Sequence, residues 1–149
     1  MISPVTSRAG VTSNAKFAAG LSAGVSRTSL RRWTLSARRR LRLVGRVAVV
    51  MAPPKLSRRL NRQYRRRDRP TNVLSFDYAH EAQVKQQFPL AGEIILCPTV
   101  IRREAREQGR EYRAYLRFLL EHGLIHLLGR DHRTPQEQRV WTQIEQRLL

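Results

Sequence analysis

Apolar positions along the chain form three short runs set among longer segments of helical period. VAVVM, residues 47–51, has no polar interruption and is rich in valine, the pattern of a strand buried on both faces. Pro53 and Pro54 end it. TNVLSFDY, residues 71–78, predicts a second strand centred on Val73 and Leu74. After a polar loop over 79–90, GEIILC, residues 92–97, predicts a third. Between these runs the period changes to three and four. SLRRWTLSARRRLRL, residues 29–43, places Leu30, Trp33 and Ala37 on one side of a basic helix. SRRLNRQYRRR, residues 57–67, predicts a helix with Ser57 at its N-cap, stopped before Pro70. Pro98 opens a helix that runs to Gln108, and Gly109 closes it. The longest helical pattern is EYRAYLRFLLEHGLIHLLG, residues 111–129. In it Tyr112, Tyr115, Leu116, Leu119, Gly123 and Leu127 make one inward stripe, and Gly129 ends the helix. Beyond Thr134 and Pro135, residues 136–149 form an amphipathic helix with Val140, Trp141, Ile144 and Leu148 inward. Few strands among several helices predict an α+β domain, a small mixed sheet packed against the central helix.

Composition adds boundaries to this picture. Residues 1–28 are rich in Ser, Ala, Gly and Thr and show no sustained period, so they are expected to be a flexible basic extension, with the domain proper at 29–149. Basic, serine-rich and free of acidic residues is also how a mitochondrial or plastid transit peptide reads; the alternative is a bacterial cytoplasmic protein with an arginine-rich start. No apolar run has membrane-spanning length, so no membrane partner is expected. Cys97 is the only cysteine, which excludes an internal disulfide and fits a buried thiol. The formal net charge is +18, unevenly placed: residues 1–67 hold 17 Lys and Arg with no Asp or Glu. Such asymmetry points to a polyanion such as nucleic acid, against the plainer reading of a solvated charged face.

Chemistry concentrates in HGLIHLLGRDH, residues 122–132. His122 and His126 are four apart and so share a helix face. A turn at Gly129 can bring His132 back to complete a three-histidine set, leaving a fourth position open as catalytic sites do. Neutral imidazoles suit Zn²⁺, with other divalent metals possible. Asp131 is placed to orient a ligand through a hydrogen bond. In the zinc-protease pattern H-E-x-x-H-x-x-G-x-x-H a glutamate follows the first histidine. Here Gly123 stands there, and Glu121 lies about 200° away around the helix, which disfavours a peptidase.

HGLIHLLGRDH, together with LNRQYRRRDRPTNVLSF at 60–76 and GEIILC at 92–97, resembles the YbeY family of metal-dependent endoribonucleases, in order and in spacing. The resemblance covers about residues 45–149. Glu93 stands where the family usually has Asp, and Arg130 where an aromatic is common. The resemblance implies a zincin-like helix-and-turn metal site and one zinc ion. It implies a single-strand-specific endoribonuclease acting on the 3′ end of 16S ribosomal RNA and in ribosome quality control. Ribosomal RNA, the small subunit and its assembly proteins are the implied partners. Arg65 and His122 are then the expected catalytic residues, with Arg65, Arg66 and Arg67 on the RNA. A lone structural alternative for Arg65 is an ion pair with Asp68. A ribosome-assembly factor with a mainly structural metal is the competing functional reading. The missing glutamate is no obstacle to RNA cleavage, because a metal-activated water and a phosphate-binding arginine can share the work.

Overall fold

The structure is a computed structural model that describes residues 15–17, 23–43, 45–77, 90–127, 139 and 142. Its elements, in chain order, are β1 (Ala15–Phe17), α1 (Arg27–Leu41), β2 (Arg46–Met51), α2 (Pro54–Arg65), β3 (Val73–Asp77), β4 (Leu90–Leu96), α3 (Pro98–Glu107) and α4 (Tyr112–His126). The strands form one sheet in the order β1-β2-β4-β3. β1 runs parallel to β2 and β2 parallel to β4, while β3 is antiparallel to β4. The expected α+β architecture, with a mixed sheet under a central helix, is what the chain adopts.

Because β2 and β4 are interior strands, both of their faces are covered. Val47, Val49, Met51, Ile94 and Leu96 join the larger core with α1, α3 and α4. Val50 and Ile95 face the other way, with Leu74 and with Leu60 of α2. This double burial is why 47–51 reads as an unbroken apolar run. β1 is different. It is three residues long and carries no apolar run, so period alone could not reveal it; it falls within the stretch expected to be an extension. Ala23 and Val25, also in that stretch, are buried in the larger core.

Helix boundaries follow cap chemistry. α1 begins at Arg27, two residues earlier than expected, because Ser26 is its N-cap and accepts from the Ser29 amide at 3.1 Å. The expectation of Ser57 as N-cap of α2 is corrected: Pro53 is the cap and Pro54 the first helical residue, where its missing N–H costs nothing. Ser57 instead lies buried one turn in, with its hydroxyl accepting from the Thr71 amide at 2.9 Å and donating to the Thr71 carbonyl at 2.8 Å. α2 also ends earlier, at Arg65, with Arg66 in the left-handed region (φ 57°). α3 starts at Pro98 as expected, and Gly109 (φ 63°) follows its end. The expected inward stripe of α4 is buried except for Tyr112, which is half-buried and donates to the Ala23 carbonyl. Cys97 is buried, and burial pushes its thiol pKa up, so it is a packing residue. The turn at Gly129 and the last helix lie outside the described residues, apart from Arg139 and Thr142, which are helical. No described helix is long and apolar enough to cross a membrane.

α1 and α4 are joined by charge as well as by apolar contact. Glu121 is 4% exposed, and its Oε1 accepts from Arg40 at 3.1 Å and from Arg117 at 2.9 Å. The guanidinium carbons of Arg113 and Arg117 stand 5.0 and 5.8 Å from the Trp33 ring. Removing the carboxylate strands two cations at that seam, although both can reach water. Glu121→Ala is therefore expected to lower the unfolding free energy by about 1.5–3 kcal/mol, the range for hydrogen bonds to charged groups. Urea denaturation measures this, and an unchanged midpoint would show that the pair adds nothing to the seam.

Candidate metal centre and nucleic-acid interface

The end of α4 rests directly on the sheet. A Cβ at Gly123 would stand 3.0 Å from Ser75 Oγ and 3.1 Å from Ile94 Cγ2. Ser75 Oγ donates to the Gly123 carbonyl at 3.3 Å. One turn further on, Leu127 packs over Gly92 of β4, where a Cβ would collide with the Leu127 side chain and the Phe76 carbonyl. Two glycines, one on the helix and one on the strand, thus allow this close approach. A glutamate at 123 would have to push Ser75 and Ile94 aside, so the packing stands against the carboxylate base of a zinc protease.

His122 and His126 lie on the flank of α4 beside Gly123. His122 is half-buried and His126 exposed, and their Nε2 atoms approach to 3.1 Å. Zinc–imidazole bonds are about 2.0–2.1 Å, so two nitrogens on one tetrahedral ion stand roughly 3.3 Å apart. The pair fits a shared ion. Among the described residues no further His, Cys, Asp or Glu joins it to make a group of three. The other residues expected there, Asp131 and His132, lie outside the described residues, as do Arg130 and His80.

Neither glutamate near the motifs serves the histidine pair. Glu121 belongs to the α1–α4 seam. Glu93 is 1% exposed and sits in register with Phe76 and Ala48. Its neighbour Ile94 faces α4, so by strand alternation Glu93 faces the α2 side of the sheet. The exchange of the family's Asp for Glu93 is therefore on the face away from the histidines.

The segment from Leu60 to Phe76 runs from the end of α2 through a pinned loop into β3. Asn61 is buried and donates from Nδ2 to the Arg69 carbonyl at 2.7 Å. Asn72 Oδ1 accepts from the Val73 amide at 2.6 Å, and its Nδ2 donates to Glu104 Oε2 at 2.9 Å. Tyr115 donates to the same Glu104 oxygen, at 2.9 Å, which ties this loop to α4. The suggested Arg65–Asp68 pair is not what forms. Asp68 takes a two-pronged bond from Arg58, at 2.9 and 3.0 Å, because Arg58 lies on the helix side that faces the returning loop. Arg65, Arg66 and Arg67 are exposed at the end of α2. Although Arg65 is exposed overall, partial burial of its guanidinium, with the charge of Arg67, holds its pKa below the usual arginine range. Such a cation gains from an arriving anion. α2 and α4 pack on opposite faces of the sheet, so Arg65 and the histidines are carried by different layers of the fold.

What sequence reasoning missed is Phe118. It lies one turn before His122, with ring centroids 5.9 Å apart, and the Arg110 guanidinium rests 5.0 Å from the Phe118 ring. Its spacing of four from His122 is the signal in the sequence, and Phe118 lies outside the expected inward stripe.

Comparison with known proteins places this architecture. The sequence profile of the family described as Endoribonuclease YbeY matches residues 25–149. An Endoribonuclease YbeY of Stenotrophomonas maltophilia is 39% identical over 142 residues, covering 88% of this chain and 81% of that protein. That of Aromatoleum aromaticum is 40% identical over 120 residues, covering 80% and 72%. That of Alkalilimnicola ehrlichii is 42% identical over 92 residues, covering 62% of this chain and 55% of that protein. The fold is similar to the solution structure of TM1509 from Thermotoga maritima, with a TM-score of 0.56, 22% identity, and coverage of 90% and 88%. The chain belongs to the YbeY endoribonuclease family.

Two measurements check this geometry. Gly123→Glu forces a carboxylate between Ser75 and Ile94, and should cost about 3 kcal/mol or more in stability. A Gly123→Glu protein as stable as the parent would mean that α4 stands further from the sheet. The Arg58 bond holds the Asp68 carboxyl below its ordinary range. The stabilisation from this pair is thus present above the unfolded carboxylate pKa and is lost as pH falls through the lower folded value. NMR titration should find Asp68 depressed and Arg58→Ala returning it to normal; equal values in both proteins would rule the pair out.

Proposed function

We propose that this protein is a zinc-dependent, single-strand-specific endoribonuclease acting on the 3′ end of small-subunit ribosomal RNA and in ribosome quality control, in the cytoplasm. The observation that carries the reading is the convergence of His122 and His126 at 3.1 Å on the outer side of α4, beside a position where no carboxylate fits. Family membership and the acid-free basic half of the chain support it. The small ribosomal subunit and its assembly proteins are the partners that such a substrate brings.

In this reading His122, His126 and His132 hold the ion, and Asp131 orients one imidazole by accepting its second N–H. Bound zinc supplies Lewis acidity toward a phosphate oxygen and lowers the pKa of a water to about 7. Arg65 offers two parallel N–H donors to the phosphate that gains charge in the transition state. Arg66 and Arg67 hold neighbouring phosphates. No side chain is required at 123, because the proton of the attacking water need not pass to a carboxylate there.

The expected outcomes separate ligand from donor. His126→Ala should lose both zinc and cleavage. Arg65→Lys keeps charge and zinc but loses the two-pronged geometry, so single-turnover cleavage of single-stranded RNA should fall on the order of 10²–10³-fold. Zinc content, melting temperature and cleavage rate are measured together. An Arg65→Lys protein that cleaves like the parent removes Arg65 from catalysis. A parent that binds zinc and RNA without cleaving leaves only an assembly role.

A further inference from the structure

α4 carries more than histidines on its outward side. Phe118, His122 and His126 recur every four residues and share that side. Successive ring centroids are 5.9 and 4.9 Å apart. Arg110, just ahead of the helix, continues the line. Its guanidinium carbon is 5.0 Å from the Phe118 centroid and 4.6 Å from that of Tyr115. Ala114, exposed and small, occupies the position between Arg110 and Phe118. Phe118 itself is half-buried: part of it packs against the core, and the rest looks outward beside His122. The result is a continuous surface of cation, phenyl ring and two imidazoles.

Each component suits one part of a nucleotide. A phenyl face stacks any base, because every base has a π face, and this is how single strands are held without sequence preference. A guanidinium matches two phosphate oxygens and can do so while leaning on an aromatic ring. The distance is short. One helical turn, about 5.4 Å, separates Phe118 from His122, so a strand whose phosphate lies at the histidines has its next base, not a remote one, over Phe118.

We propose that Phe118 and Arg110 form a nucleotide subsite beside the histidine pair: the base flanking the scissile bond stacks on Phe118, and Arg110 holds the adjoining phosphate. This rests on the endoribonuclease reading and adds a physical source of strand preference. A base already stacked and paired in a duplex cannot turn onto Phe118 without losing those contacts, whereas an unpaired base can.

The test uses the zinc-loaded full chain and a short single-stranded RNA cleaved at one bond. Versions of the RNA carry an abasic site at each position in turn. With the parent protein, one abasic position next to the cleaved bond should lower kcat/KM about ten-fold or more, through KM. Phe118→Leu keeps an apolar side chain but no flat face. It should show the same loss on intact RNA and no further loss at that abasic position. Phe118→Tyr should restore the parent pattern. Arg110→Ala should raise KM and reduce the slope of log affinity against log salt by roughly 0.7. Phe118→Leu with the parent KM overturns the subsite, as does an equal loss on every abasic RNA, the mark of a structural role. In both cases parent cleavage stands, so the endoribonuclease reading survives. A parent that cleaves no RNA removes the reading and the subsite together.

Discussion

Helix α4 lies against β3 and β4 at a distance set by the lack of a side chain at Gly123 and at Gly92. A Cβ at Gly123 would stand 3.0–3.1 Å from Ser75 and Ile94, so the helix lies nearer the sheet than a side chain there allows without displacing them. The Ser75 hydroxyl bond to the Gly123 carbonyl fixes the contact. Everything at the site follows from which side of α4 this contact occupies. A flank about 60–140° around α4 from Gly123 is the one left for His122, His126 and Phe118, while the side opposite Gly123 carries Glu121 against α1. The same contact stands against a carboxylate at the position where a zinc protease keeps its base.

The charge of the chain is divided between two uses. Part of it is structural: Arg40 and Arg117 converge on Glu121, Arg58 on Asp68, and Arg113 and Arg117 on the Trp33 ring. These arginines hold elements together and cannot all be counted toward a polyanion. Others are exposed, as on α1 at Arg31, Arg32 and Arg39 and at the end of α2 at Arg65, Arg66 and Arg67. A total charge of +18 therefore overstates the surface that RNA would meet.

The polar residues between Ser57 and Val73 show how the loop after α2 is kept in place. Ser57 holds Thr71, Asn61 holds Arg69, and Asn72 links the Val73 amide to Glu104 and, through it, to Tyr115 of α4. The three arginines at the end of α2 are thereby carried on a chain turn with little freedom. A left-handed Arg66 makes that turn, and its amide closes onto the Arg62 carbonyl at 3.1 Å. Pre-ordering of this kind lowers the entropy that a ligand must remove from the arginines when it binds.

Local pattern by itself determined the interior strands, the helix faces and the shared face of His122 and His126. Val47 to Met51 is apolar throughout because the strand is covered on both sides, and His122 and His126 share a face because a helix turns every 3.6 residues. Those are short-range facts, legible from neighbours in the chain. Tertiary structure alone decided the rest. β1 exists because β2 offers it an open edge, which no pattern in three residues records. Asp68 chose Arg58 over Arg65 because the loop after α2 returns along one side of that helix. Glu121 became a buried clamp because α1, some eighty residues earlier, brings Arg40 to it. Gly123 could be seen in the sequence as a missing base, but only the packing of α4 on Ser75 and Ile94 gives the reason, since steric exclusion depends on what stands opposite in space.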